Sequence, residues 1–321
     1  MKKTLFILLC SCVLSALAVA QQPDYTGADS TALALKGRHF SSVAELVNQL
    51  TPGLNNNQLK ARAIYDWVTE NIKYDMQAFI SKTYLNEKSP LMTLTDRKGI
   101  CQNFSELVKE MCLLAHIPCE IVTGLGKFGP NLGTDLHAWN AIQLNNKWYL
   151  MDVSWGSLQR PGNKYDYFLT PPEQFICDHF PNSARWSLLD KTPDKQTFLS
   201  YPYISIDYFK VAGKDFPKEM KLVARNQTLT ISNYAAATGK LLYPEIVDEK
   251  NMRQLEHRED YTPVDIGIRE ITDADKKVVQ YQLTGIPKGS YWLYLYVVPD
   301  VDQSPSSIIQ SSILVFSVES L

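Results

Sequence analysis

GICQNFSELVKEMCLLAHIPCEIVTG, residues 99–124, places Cys101 at the head of an amphipathic helix and runs on into a strand. Phe104, Leu107, Val108, Met111, Cys112, Leu114 and Ala115 recur at helical spacing, with Glu106, Lys109 and Glu110 between them. Pro118 cannot continue a helix, so the helix ends before it. Outward from this stretch, Cys119–Thr123, His137–Leu144 and Lys147–Val153 read as strands, the last two joined by a two-residue turn at Asn145-Asn146. Upstream, Ser41 or Ser42 caps a helix through Leu50, stopped by Pro52-Gly53. A further helix follows Asn55-Asn56-Asn57. Leu59, Ala63 and Trp67 form one apolar row, Ile64, Val68 and Ile72 the next, and Lys60, Arg62, Asp66, Glu70 and Lys73 take the other positions. Helices first and an antiparallel sheet second make an α+β domain with the cysteine helix packed on the sheet.

Cys101, His137 and Asp152 are the candidate catalytic residues. A thiol, an imidazole and a carboxylate are what nucleophilic acyl transfer requires. The helix N-terminus favours thiolate over thiol, Gly99 permits a sharp backbone turn, and the Cys101 N–H can help to hold an oxyanion. With the turn at Asn145-Asn146, Asp152 opposes Trp139 and becomes a diagonal neighbour of His137, within reach of a side-chain hydrogen bond. Gln102 and Tyr74 are alternatives for a second oxyanion donor. His39, His116, His179 and His257 lack such a setting and read as structural or exposed. Cys, His and Asp can also hold a metal, but no CxxC or HxxxH spacing accompanies them, so the expectation is no metal and no cofactor.

The ends of the chain differ from this centre. Lys2-Lys3, an apolar run from Leu5 to Leu17 and Ala18-Val19-Ala20 have the form of a signal peptide over 1–20, which implies export to a periplasmic or extracellular setting. Residues 21–40 are polar and aperiodic, and read as a tether. From Ile204 the periodicity shifts toward two. Thr228–Ile231, Val264–Ile268, Val278–Leu283, Tyr291–Val297 and Ile313–Phe316 read as strands of a second, all-β sandwich over 205–321. The net charge of −2 and the absence of a basic block argue against nucleic acid as a partner. After the signal, no apolar run is long enough to span a membrane. Cys112, Cys119 and Cys177 read as buried thiols, with a Cys112–Cys119 disulfide as the alternative.

The blocks 99–124 and 137–155, with ARAIYDWVTENIKYD (61–75) before them and YFLTPPEQFICDHFP (167–181) after, resemble the transglutaminase-like superfamily, a papain-related fold. Within it they look like the kyphoscoliosis-peptidase and cytokinesis-associated branch. The resemblance covers about 58–190 and implies a domain over 41–200 with Cys101 as nucleophile, His137 as general base and Asp152 as its orienting partner. Trp155 matches an aromatic position of the family motif. His116 departs from it, since the family commonly has glycine there. Members of the branch often carry an immunoglobulin-like module, and residues 205–321 are weakly similar to one, best at PKGSYWLYLYV (287–297). The expected function is an exported thiol peptidase, amidase or transglutaminase-type acyltransferase. It would act on a protein or peptide, cell-wall peptide included. The alternative is a non-catalytic binding or scaffolding protein of the cell envelope that retains the triad.

Overall fold

Helix α1 (Thr26–Ala34) corrects the tether reading of residues 21–40. Its small residues Ala28 and Ala32, four apart, are buried, and Leu35 and Phe40 behind it are buried too. The segment has too few large apolar residues for a helical stripe to show in sequence, because close approach here needs alanine. The structure is a computed structural model. It describes residues 23–82, 88–128, 134–159, 163–212, 216–232, 242–248, 264–273, 278–297 and 312–321. The signal-peptide expectation for 1–20 lies outside the described residues.

Helix α2 (Val43–Leu50) starts at Ser42, whose Oγ accepts the Glu45 N–H at 3.0 Å, while the Glu45 carboxylate reaches back to the Ser41 N–H at 2.7 Å. Helix α3 (Asn57–Asn71) is capped by Asn56 in the same way. The polar face expected for α3 is in fact largely covered: Arg62 and Asp66 are both buried. Arg62 forks onto Asp29 of α1 at 2.8 and 3.1 Å, and Asp66 accepts from Lys164 and Tyr165. Paired in this way, both charges keep hydrogen-bond partners in place of water.

A short parallel ladder links β1 (Lys73–Tyr74) to β2 (Lys98–Gly99), with α4 (Met76–Ser81) and α5 (Pro90–Asp96) between them. The pairing Tyr74↔Gly99 brings Tyr74 beside the entry to α6 (Cys101–Leu114). Helix α6 ends in a Schellman motif: Ile117 N–H bonds Cys112 O at 2.8 Å, His116 N–H bonds Leu113 O at 3.0 Å, and His116 has φ +62°. That left-handed position explains why glycine suits residue 116.

The sheet that receives α6 comprises β3 (Cys119–Lys127), β4 (Thr134–Leu144) and β5 (Lys147–Met151). After helix α7 (Val153–Leu158) come β6 (Phe168–Thr170), α8 (Pro172–Phe175) and β7 (His179–Pro181). The order is β6-β5-β4-β3-β7, antiparallel throughout. Asn145 and Asn146 both have positive φ, and the register Asn140↔Met151 to Leu144↔Lys147 is the one the turn dictates. The predicted strand to Val153 stops at Met151, because Asp152 turns to cap α7. Phe104, Leu107, Val108 and Met111 of α6 share one core with Cys119, Ile142 and Leu144 of the sheet and with α2 and α3. Cys112 and Cys119 are buried free thiols in that core.

Beyond α9 (Lys195–Ser200), strand β8 (Tyr203–Ile204) pairs with the last strand of the chain, so the second unit begins slightly before residue 205. Helix α10 (Tyr208–Ala212) interrupts what was expected to be purely β. Then follow β9 (Lys221–Ala224), β10 (Thr228–Ser232), β11 (Leu242–Asp248), β12 (Gly267–Asp273), β13 (Val278–Thr284), β14 (Gly289–Val297) and β15 (Ser312–Ser320). One sheet has the order β10-β13-β12. The other runs β11-β14-β15-β8, with β9 parallel to β15. Leu229, Ile231 and Leu283 of the first sheet and Ile246, Leu293, Leu314 and Phe316 of the second meet in a single core. Among the described residues no helix is long and apolar enough to cross a membrane.

The docked position of α1 makes a prediction. Ala28→Asp would bury an unpaired carboxylate and lower the stability to urea by about 2–4 kcal/mol. A free tether would leave the urea midpoint unchanged.

Candidate active site

Asp152 is the N-cap of α7, and this role aims its carboxylate. Oδ1 accepts the Trp155 N–H at 3.0 Å and the Ser154 hydroxyl at 2.7 Å. Oδ2 is left for the neighbouring sheet, where His137 Nε2 of β4 lies at 2.5 Å. The side chains of both residues are essentially without solvent exposure. The remaining ring nitrogen, Nδ1, is left for the Cys101 thiol, which interacts with this ring. Cys101 is the first residue of α6. No side chain accepts from the N–H groups at that helix start, and the Asn103 side chain instead takes the N–H of Ile100 at 3.0 Å. Gly99 is needed just before, since a Cβ there would lie 2.7 Å from Asn103 Cβ.

Charge follows from this geometry. Burial raises the pKa of the Cys101 thiol, but the hydrogen bond and charge of His137 and the Ala138 N–H outweigh it, and the net shift is downward. For His137 burial disfavours the cation. The Asp152 carboxylate overrides it by charge and hydrogen bond, helped by Cys101, and lifts the imidazole to about 10. Burial also pushes Asp152 upward, yet His137, and then His179, hold it well below the usual carboxylate range. These three directions agree on thiolate, imidazolium and carboxylate in a row.

Cys101 and His137 open onto a cleft of about 800 Å³. Phe79, Met92 and Leu136 give it apolar walls, and Lys88, Glu106 and Asp135 stand among them. Of the two candidate oxyanion donors, Gln102 is engaged, donating to Glu106 at 2.8 Å. Tyr74 is not: its hydroxyl is buried without a hydrogen-bond partner. Burial and the nearby Cys101 thiol keep that phenol strongly protonated, and therefore a donor.

His179, read from sequence as structural or exposed, lies against the same carboxylate. Its Nε2 is 3.0 Å from Asp152 Oδ2, and its Nδ1 is 2.5 Å from Asp178 Oδ1. The signal was present in the segment CDHFP, but it is a three-residue strand far along the chain whose partner no local pattern announces. Trp155 also gains an account. Its backbone N–H completes the cap on Asp152, and its ring lies 4.9 Å from His137 and 4.3 Å from His179. Gly126 makes room for it, since a Cβ there would meet both His137 and Trp155 at 3.1 Å. His137, Asp152 and His179 offer three potential metal-ligand atoms within 4.8 Å. The 2.5 and 3.0 Å separations are those of hydrogen bonds, closer than the ~3.3 Å between ligands of tetrahedral zinc.

Comparison with known proteins fits this geometry. The model of the transglutaminase-like superfamily matches residues 44–153, which contain Cys101, His137 and Asp152. The chain carries a transglutaminase-like core. Its relatives place that core in the kyphoscoliosis-peptidase branch. Kyphoscoliosis peptidase of Mus musculus is 32% identical over 212 residues, covering 61% of this chain and 32% of the relative. Lim and transglutaminase domain protein ltd-1 of Caenorhabditis elegans is 26% identical over 210 residues, covering 58% of this chain and 29% of the relative. The chain thus spans about a third of the length of these curated relatives. A solved TGase structure aligns with TM-score 0.28 and 16% identity over 44% of this chain and 35% of that one. In the transglutaminase-like core the cysteine helix α6 packs on an antiparallel sheet.

The charge pattern predicts how Cys101 responds to pH. Its thiolate forms below the ordinary thiol value of about 8.5, and the ion pair persists until His137 loses its proton near 10. Iodoacetamide labelling, mapped by mass spectrometry, is expected to select Cys101 and to be fast already at neutral pH. Slow labelling that rises only near pH 8.5 would contradict the ion pair.

Proposed function

We propose that the transglutaminase-like core is a thiol enzyme that cleaves or transfers the acyl group of an amide in a protein or peptide. The observation that carries this reading is the line from Asp152 through His137 to Cys101, with the thiol pKa lowered and the imidazole pKa raised. The Cys101 thiolate attacks the amide carbonyl carbon, and the carbonyl electron pair moves onto oxygen. The Cys101 N–H and the Tyr74 hydroxyl, buried beside the Cys101 thiol, are the candidate donors to that oxyanion. His137 passes its proton to the amine as the carbon–nitrogen bond breaks, leaving a thioester on Cys101. Water, or a second amine, then gives a proton to His137, attacks the thioester and releases the thiolate. Hydrolysis is the simpler course in bulk water, and the name of the mouse relative, a peptidase, agrees with it.

The second unit is read as immunoglobulin-like. Strands β10, β13 and β12 correspond to the B-E-D sheet and β11, β14 and β15 to C-F-G, with β9 running parallel beside the last strand. The signal-like pattern Lys2-Lys3, Leu5–Leu17 and Ala18-Val19-Ala20 supports work outside the cytoplasm.

Three variants test the chemistry on a peptide-amide substrate library. Cys101→Ala is expected to abolish turnover and leave thermal unfolding unchanged; turnover in that variant would move the reaction away from this site. Asp152→Asn should lower kcat by about 10²–10⁴-fold through the wrong imidazole tautomer. Tyr74→Phe should lower kcat by about 10–10³-fold with KM little changed, as loss of an oxyanion donor does. Full activity in Tyr74→Phe would remove the phenol from the reaction.

A further inference from the structure

The buried chain of charges does not end at Asp152. Strand β3 has β4 on one side and β7 on the other, with Gly124 paired to His137 and Gly126 paired to His179. The two imidazoles thus approach one carboxylate oxygen from two different strands, at 2.5 and 3.0 Å on Asp152 Oδ2. The other nitrogen of His179 meets Asp178 Oδ1 at 2.5 Å, and Asp178 Oδ2 accepts the Tyr167 hydroxyl at 2.7 Å. An ionised carboxylate only accepts hydrogen bonds. Both ring nitrogens of His179 face carboxylate oxygens. The side chain has no solvent exposure. Its ring is stacked on Phe175 at 3.9 Å, with Trp155 at 4.3 Å and the edge of Trp139 at 5.0 Å, so packing fixes its orientation. The titratable groups that face it are Asp152 from the start of α7, Asp178 beside it on the chain, His137 from β4 and Tyr167 from the turn before β6. Behind Asp178 stands the buried ammonium of Lys127.

We propose that His179 is a positioning residue for the reaction at Cys101: held by Asp178, it locks the Asp152 carboxylate in the place and charge state from which Asp152 orients His137. The proposal rests on the reading of Cys101 as the nucleophile. Asp178, His179, Asp152, His137 and Cys101 form a line in which an imidazole stands between each acidic group and the next. Taking His179 out removes one donor from Asp152. That loss loosens the carboxylate that orients His137, and acts toward a less populated thiolate at neutral pH. A tight aromatic cage alone would hold any flat ring, and a flat apolar ring would then serve as well as imidazole.

The experiment compares full-length wild type, His179→Phe and His179→Gln. Iodoacetamide rates at Cys101 are measured from pH 4 to 10, together with kcat, KM and thermal unfolding. Phenylalanine keeps a ring in the cage without a donor. Glutamine can still offer one N–H to Asp152. His179→Phe is expected to move the labelling profile upward by about half to one pH unit, a several-fold slower rate at neutral pH. It should also lower kcat by about 10–100-fold, as loss of a partner behind a functional residue commonly does. His179→Gln should restore part of both. An unmoved profile and unchanged kcat in a folded His179→Phe, whatever its unfolding temperature, would reduce His179 to packing and overturn the proposal. Should His179→Phe fail to fold, a wild-type profile and kcat in His179→Gln would overturn it, and intermediate values would support it. A wild-type protein whose own Cys101 titrates as an ordinary thiol would instead defeat the underlying reading of the nucleophile.

Discussion

One buried anion organises this domain. A carboxylate taken out of water costs several kcal/mol unless charge and hydrogen bonds replace its hydration. Asp152 has four such partners: the Ser154 hydroxyl, the Trp155 N–H and the two imidazoles. They come from three elements, α7, β4 and β7, and each must be in register for the carboxylate to be satisfied. The turn at Asn145-Asn146 sets β4 against β5, the cap sets the start of α7, and the pairing of β7 with β3 delivers His179. The functional arrangement and the solvation of one charge are therefore the same set of contacts.

Close packing around that charge relies on missing side chains. Gly126 admits Trp155 beside both imidazoles, and Gly156 admits the Tyr65 hydroxyl, which a Cβ would meet at 2.0 Å. Tyr65 in turn donates to Lys164 O at 2.5 Å, tying α3 to the turn that leads into β6. The aromatic shell keeps Cys101 and His137 buried, a condition under which a thiolate and an imidazolium hold each other strongly.

Much of this was legible in sequence because it is local. Helical spacing revealed α6 and α3, the Asn-Asn turn fixed the hairpin register, and that register placed Asp152 beside His137. What stayed hidden depends on partners far along the chain. Helix α1 is amphipathic only in the sense that alanines face α3, which no hydrophobicity pattern displays. Arg62 and Asp66 looked solvated because their partners, Asp29 and Lys164, lie 33 and 98 residues away. His179 belongs to a strand too short to carry a period of its own. Asp152 reached the expected neighbour by a route not foreseen, as a helix cap and not as a strand residue.

Strand β7 has two faces, and so far only one has mattered. While His179 meets Asp152, Phe180 and, on β3, Leu125 pack against the core of the second unit, where Phe180 stacks on Phe198 at 5.2 Å. Ile176 and Cys177 belong to that core as well. The seam between the two units therefore runs through the strand that holds His179, one residue from it. A boundary drawn by homology alone, at the end of the matched segment, would cut a molecule whose chemistry is braced from the other side. The β unit covers one side of the transglutaminase-like core, and removing it would bare Phe180 and Leu125.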